Sequence, residues 1–185
     1  MTRNSLLALC AGSALALAAC GQQAQQQAEL PAPAPVETAT PAAMTDIEFV
    51  QAALNADAFE IQSSQLAAQR GARTDVKALA ETLVTENTAA TQALTALAPT
   101  LQITAPTPAV AADQADDLAD LNTKNGEAFD DAYLDDQVEA HNNAIALYER
   151  YVAGAAEGPL KQWAQTELAE MRTHRDQVQA LENAT

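Results

Sequence analysis

The sequence predicts an all-α protein: a four-helix bundle whose second and third helices are joined by a long crossover. Three observations predict it. Apolar residues recur at three- and four-residue steps along four long segments, helix start and stop residues sit at the ends of those segments, and no alternating run bounded by hairpin turns competes with them. A chain of 185 residues suits a single core with tails.

The first helix opens at "MTDIEFV". Thr45 and Glu48 form a capping box, and Met44 and Phe49 occupy the two positions of a hydrophobic staple. The helix is expected to run to about Arg70, with Ile47, Val50, Leu54, Phe59, Ile61 and Leu66 on its apolar side and Gly71 as its stop. The second begins after Thr74 and carries Val76, Ala80, Leu83, Ala90, Leu94 and Leu97 until Pro99 ends it. So short a connection between the two implies an antiparallel hairpin.

From Pro99 to Gly126 the chain holds three prolines and then "DQADDLADLNTKNG", read as a small amphipathic helix closed at Gly126. The third long helix follows from Glu127 to about Val152. "GAAEGP" then supplies a stop at Gly154 and a restart with Pro159 at the first helical position. The fourth carries Leu160, Ala164, Leu168, Met171, Val178 and Leu181. Two tight hairpins separated by a long crossover give the connectivity of ferritin-like bundles, with the bundle domain over 45–183.

Ahead of the bundle, residues 1–19 read as a secretory signal: one Arg, an apolar run too short for a bilayer span, then small residues. The run ends in "LAAC", Leu17 to Cys20, which resembles the lipobox of bacterial lipoproteins, where the cysteine is lipidated and becomes the first mature residue. An ordinarily cleaved signal with an incidental cysteine is the alternative. Cys10 leaves with the signal, so no intramolecular disulfide is expected. Two or three acyl chains, palmitate among them, would anchor the chain to a membrane more firmly than one. Gly21, rather than Asp, after the cysteine points by the same resemblance to the outer membrane, facing the periplasm. Residues 20–44, rich in Gln and Ala and then in Pro and Ala, have nothing to bury and read as a disordered tether. Extended as polyproline, residues 21–43 would reach about 70 Å at about 3.1 Å per residue.

Nine Lys and Arg stand against 25 Asp and Glu, a net charge of −16 that becomes −17 when Arg3 leaves with the signal. That surface repels nucleic acid and anionic headgroups and is suited to cations or a basic periplasmic partner, although a solvated acidic face is the commoner meaning.

Polar residues interrupt each apolar stripe near mid-height: Glu60 on a small-residue strip with Ala53, Ala56, Ser63 and Ala67 in the first helix, Asn87 in the second, His141 in the third and His174 in the fourth. The four would meet whichever way the helices run. The segments "EIQSSQLAAQRGARTDVKALAETLVTEN", "FDDAYLDDQVEAHNNAIALYE" and "PLKQWAQTELAEMRTH" resemble a bacterial envelope family catalogued as domain of unknown function 4142, placed by fold among ferritin-like four-helix proteins. The resemblance covers about residues 46 to 182 and is strongest at Phe129, Asp130, Tyr133 and His141. It implies that Glu60, His141 and His174 are recurring polar core positions. Two departures are visible: Glu86-Asn87 where the family shows Asp-His, and Leu168-Ala169 where it shows Leu-Pro.

Di-iron chemistry in such bundles needs a Glu from each of two helices plus Glu-x-x-His from each of the others. Here Val138 and Met171 stand three residues before His141 and His174, so that signature is absent. Two readings of the layer remain: a hydrogen-bonded set that fixes helix register, or a mononuclear Fe or Zn site of Glu60, His141 and His174. Asp130 is expected to complement a helix dipole, while Tyr133, Tyr148, Trp163 and Met171 are read as packing residues. Ser63 and Ser64 lack a nucleophile-elbow context, and neither a glycine-rich phosphate loop nor paired cysteine ligands occur. Catalytic residues are therefore not assigned. The resulting expectation is a non-enzymatic, lipid-anchored envelope protein of structural or partner-binding role, with a metal-binding protein as the alternative.

Overall fold

The computed structural model describes residues 43–184; the signal, Cys20 and nearly all of the tether lie outside the described residues. The chain is all-helical over the described residues, with α1 at Asp46–Arg70, α2 at Thr74–Leu97, α3 at Ala112–Thr123, α4 at Glu127–Gly154 and α5 at Pro159–Glu182. A 3₁₀ turn, Ala98–Leu101, extends α2 across Pro99.

The predicted start signals form. Thr45 caps α1 by accepting from the Glu48 amide, and the Glu48 carboxylate accepts from the Thr45 amide at 2.8 Å. Half-buried Met44 packs on the apolar cluster around Phe49, as a staple requires. Pro159 opens α5. Gly126 departs from expectation: α3 already ends at Thr123, and Gly126, at φ 64°, instead leads into α4. The positive φ explains why glycine stands there.

Helix directions follow from contacts along the interfaces. Phe49 stacks on Tyr151 with ring centroids 3.9 Å apart, while further along α1 Ser64 Oγ pairs with Tyr133 OH at 2.9 Å, so α4 runs opposite to α1. Arg73 donates to the Leu181 carbonyl and Glu86 meets His174, so α5 runs opposite to α2. The order is up, down, down, up. The connection from α2 to α4 must therefore climb the full height of the bundle, which makes this a ferritin-like four-helix bundle. The climb is held along its course: Ile103 is buried in the apolar cluster around Phe49, the Ala109 amide donates to Asn55 Oδ1, Leu121 is buried in a second cluster with Val76 and Phe129, and Arg70 donates to the Lys124 carbonyl.

Of the large residues expected inside α1, Val50, Leu54 and Phe59 are buried. Ile47 is 64% exposed, and Ile61 and Leu66 are only half-buried. The interior face is completed by the strip Ala53, Asp57, Glu60, Ser63, Ser64 and Ala67. Small side chains let α2 and α4 approach α1 closely, and that gain in packing outweighs the burial of one more isoleucine. In α4, Leu134, His141, Ile145 and Tyr148 are buried as expected, whereas Val138 and Val152 are half-buried at the flank.

Asp130 stands in the first turn of α4, as a dipole-complementing residue should, and has a further role. It is fully buried, and its two carboxylate oxygens accept from the backbone amides of Ala72 (2.9 Å) and Arg73 (2.8 Å), so it ties the α1–α2 turn to the start of α4. Gly71 allows the approach: a Cβ there would lie 2.8 Å from the Ala67 carbonyl oxygen and 3.2 Å from Asp130 Oδ1. Replacing Asp130 by Ala leaves two inward backbone donors without a partner, and chemical denaturation should register a loss of about 3 kcal/mol. A loss below about 0.5 kcal/mol, the scale of an ordinary surface change, would mean that the turn is held by other contacts.

Candidate functional site: a polar layer across the bundle

The apolar core is interrupted. One cluster gathers Phe49, Leu54, Leu94, Tyr148, Leu160 and Met171 with their neighbours, and the other gathers Val76, Leu83, Leu121, Phe129, Leu134 and Val178. Between them the four long helices turn polar side chains inward: Asp57, Glu60, Ser63 and Ser64 from α1, Asn87 from α2, Gln137 and His141 from α4, and His174 from α5. All are at least nine-tenths buried, and His141 is completely so.

Within the layer Asn87 Nδ2 donates to Glu60 Oε2 at 2.8 Å, and His141 Nε2 lies 3.7 Å from that same oxygen. His141 Nδ1 faces the Gln137 carbonyl at 2.8 Å. A carbonyl only accepts, so Nδ1 carries the proton and, in the neutral ring, Nε2 points inward with its lone pair. His174 Nε2 meets the half-exposed Glu86 carboxylate at 2.5 Å, which assigns the Nε2 proton in the same way and leaves Nδ1 without a partner. The two rings stand edge to face, 5.8 Å between centroids. Gln137 Nε2 donates to Ser63 Oγ, which in turn donates to the Phe59 carbonyl.

These bonds leave much of the layer unmet. Glu60 Oε1, His141 Nε2, His174 Nδ1, Asp57 Oδ1, Gln137 Oε1 and Tyr148 OH are buried atoms with no hydrogen-bond partner. Each such group costs about 1 to 3 kcal/mol, so a concentration of them at one level is expensive unless something occupies it. Charge is also crowded there. Burial first, then the Glu60 carboxylate, push Asp57 up to about 8 against a hydrogen bond from Thr91 that lowers it. Burial and Glu170 push Glu167 up to about 7.

The donor set fits a transition-metal ion in kind: two imidazole nitrogens, each with its other nitrogen held by an acceptor, and one carboxylate oxygen. Two ligands at about 2.1 Å from one ion stand roughly 3.4 to 4.2 Å apart, and the Glu60–His141 pair meets that spacing. The third donor does not join them, because Glu86 holds His174 aside. Among the described residues no group of three or more His, Cys, Asp or Glu side chains is arranged to hold a metal ion.

Glu60, Asn87, His141 and His174, all anticipated as stripe interruptions, are brought to one level. Sequence reasoning missed Asp57, hidden because it precedes Glu60 by three positions on a strip of small residues, and Gln137, which precedes His141 by four. Glu86 had been noted only as a departure beside Asn87; it is the partner of His174. Tyr133 and Tyr148 are fully buried as packing residues, though the Tyr148 hydroxyl also faces the layer unpaired.

A family model described as Domain of unknown function (DUF4142) matches residues 31–181. Among solved structures, the crystal structure of a DUF305 fragment from Deinococcus radiodurans is similar with a TM-score of 0.66, over 75% of this chain and 95% of that one, at 16% identity. At that identity the likeness is one of fold alone. No curated protein matches.

Asp57 generates a pH dependence. Its folded value lies far above that of an unfolded aspartate, so its favourable contribution is whole below about pH 4 and is lost as pH rises through 8. Asp57→Asn keeps an acceptor for Thr91 and needs no proton. The variant should be more stable than the wild type at pH 7, by about 4 kcal/mol for three pH units at about 1.4 kcal/mol each, and should match it near pH 4. A wild-type curve parallel to that of the variant across this range would contradict the assignment.

Proposed function

This chain belongs to the family described as Domain of unknown function (DUF4142), and from the layer it carries we propose a non-enzymatic, lipid-anchored protein of the cell envelope whose bundle interior binds one divalent transition-metal ion, Fe(II) or Zn(II). The observation that carries this reading is the inward set of unpartnered donors, His141 Nε2, His174 Nδ1 and Glu60 Oε1, in a layer that also buries Asp57. A dication there would take the two nitrogen lone pairs and offset the carboxylates. Glu86, bonded to His174 Nε2, would orient that ring and leave Nδ1 to complete the set.

A second reading has its own observation. Asn87–Glu60, Gln137–Ser63 and Ser64–Tyr133 are hydrogen bonds between different helices, and such pairs fix helix register without any ion. The bundle would then serve as a rigid module that presents its acidic surface to cations or to a periplasmic partner.

For location, the support is the leader and the "LAAC" motif. No helix among the described residues is long and apolar enough to cross a membrane. On the support of that motif, attachment would rest on lipidated Cys20, with the outer membrane, facing the periplasm, as the favoured address.

Two measurements test these readings. Elemental analysis of protein purified without an affinity tag should give about one Fe or Zn per chain. The content should fall at least tenfold, about 1.4 kcal/mol or more in affinity, in His141→Ala. A folded wild type free of metal after equilibration with Zn(II) would leave the register reading. Cys20→Ser should move the protein from the membrane fraction to the soluble fraction; unchanged fractionation would remove the lipid anchor.

A further inference from the structure

One residue of the polar layer, His174, also lines the seam between α2 and α5. A groove of about 470 Å³ runs along that seam, and its lining includes Glu86, Ala89, Ala93, Glu167, Glu170 and His174, with no Lys or Arg. Its carboxylates are graded in depth: Glu170 is exposed, Glu86 half-exposed and Glu167 half-buried. The alanines keep the seam open where larger side chains would fill it.

Acidity alone does not single this groove out. A second acidic groove, between α3 and α4, is lined by Asp113, Asp117, Asp136 and Glu139, but Phe59 and Ala140 also line it and no unpartnered buried nitrogen does. In the α2–α5 groove the wall includes His174, which is 94% buried and whose Nδ1 has no partner. Its ring stands against that of His141, which lines neither groove. Glu167, half-buried on α5, shares this lining with His174. The lining thus passes from exposed Glu170 through half-buried Glu167 to buried His174, whose ring meets His141.

We propose that the α2–α5 groove is the entrance by which a hydrated divalent metal ion reaches the buried layer, meeting Glu170 and Glu86 first and Glu167 and His174 next. This rests on the metal-binding reading above and adds the route. The physics is that of a charged cleft with low-dielectric walls, which concentrates counter-ions and raises their rate of arrival. Exposed carboxylates shed and regain water readily, so they pass an ion on rather than trap it, and the imidazoles behind them bind it more tightly.

The test follows Co(II) uptake by the folded full-length domain, using the visible bands that appear when the ion leaves water for a nitrogen-containing site. Glu170→Gln removes one charge from the mouth, and Ala89→Lys puts a cation into it. Both should slow uptake about three- to tenfold at low salt, as expected for lost steering, with the final absorbance unchanged. Glu139→Gln removes the same charge from the other groove and should leave the rate within about a factor of 1.5 of wild type. Equal slowing by Glu139→Gln and Glu170→Gln would assign the effect to the overall field and overturn the entrance, as would wild-type rates in both groove variants. Failure of the underlying reading looks different: wild type develops no bands, or His141→Ala develops them fully. Circular dichroism of each variant confirms that its helices are intact.

Discussion

The constraint on which this structure depends is that four helices bury a band of polar and titratable groups across the middle of their shared interior. Two apolar clusters, one around Phe49 and Tyr148 and the other around Phe129 and Tyr133, sit below and above it. They supply the burial that stabilises the bundle, and they force the band to satisfy itself by hydrogen bonds between helices. It does so only in part. Asn87 reaches Glu60 and Gln137 reaches Ser63, yet polar atoms contributed by α1, α4 and α5 stay unmatched. A layer selected for stability alone would replace Asp57 or Tyr148 OH with apolar groups of similar shape at little loss. Its retention of buried carboxylates beside two oriented imidazoles is what gives the site a chemical character.

Topology serves the layer. The up, down, down, up order requires the chain to return the whole height of the bundle between α2 and α4, and the return is fastened by Asn55, Arg70 and the buried Ile103 and Leu121. At its end Asp130 locks α4 to the α1–α2 turn through two backbone amides. That lock sets the axial position of α4 against α1, and hence places His141 beside Glu60 rather than one turn away. A one-turn slip would move the imidazole about 5.4 Å and leave both groups facing apolar neighbours.

The fold was legible in the sequence because its signals are local. The Thr45–Glu48 capping box, Gly71, Pro159 and the three- and four-residue apolar steps each act within a few residues, and the helices begin and end close to where those signals stand. The candidate site was legible as far as periodicity reaches: a polar residue inside an apolar stripe must be buried if the stripe is, which identified Glu60, Asn87, His141 and His174. It failed for Asp57 and Gln137, since a strip of Ala and Ser carries too little hydrophobic contrast to show that it faces inward. It also misplaced Ile47 on the interior face, because size and polarity cannot say how closely two helices approach.

By itself, then, the sequence determined which residues are helical, where the chain turns, and which four polar positions lie at mid-height, since these follow from backbone hydrogen bonding and side-chain periodicity within single segments. Only the tertiary structure decided which atoms meet: Nε2 of His141 toward Glu60, Nε2 of His174 toward Glu86, Asp130 beneath the turn, and an open seam between α2 and α5. The reason is that partner choice in a buried layer depends on the axial register and separation of helices distant in sequence, quantities fixed by packing many side chains at once and not by any one segment.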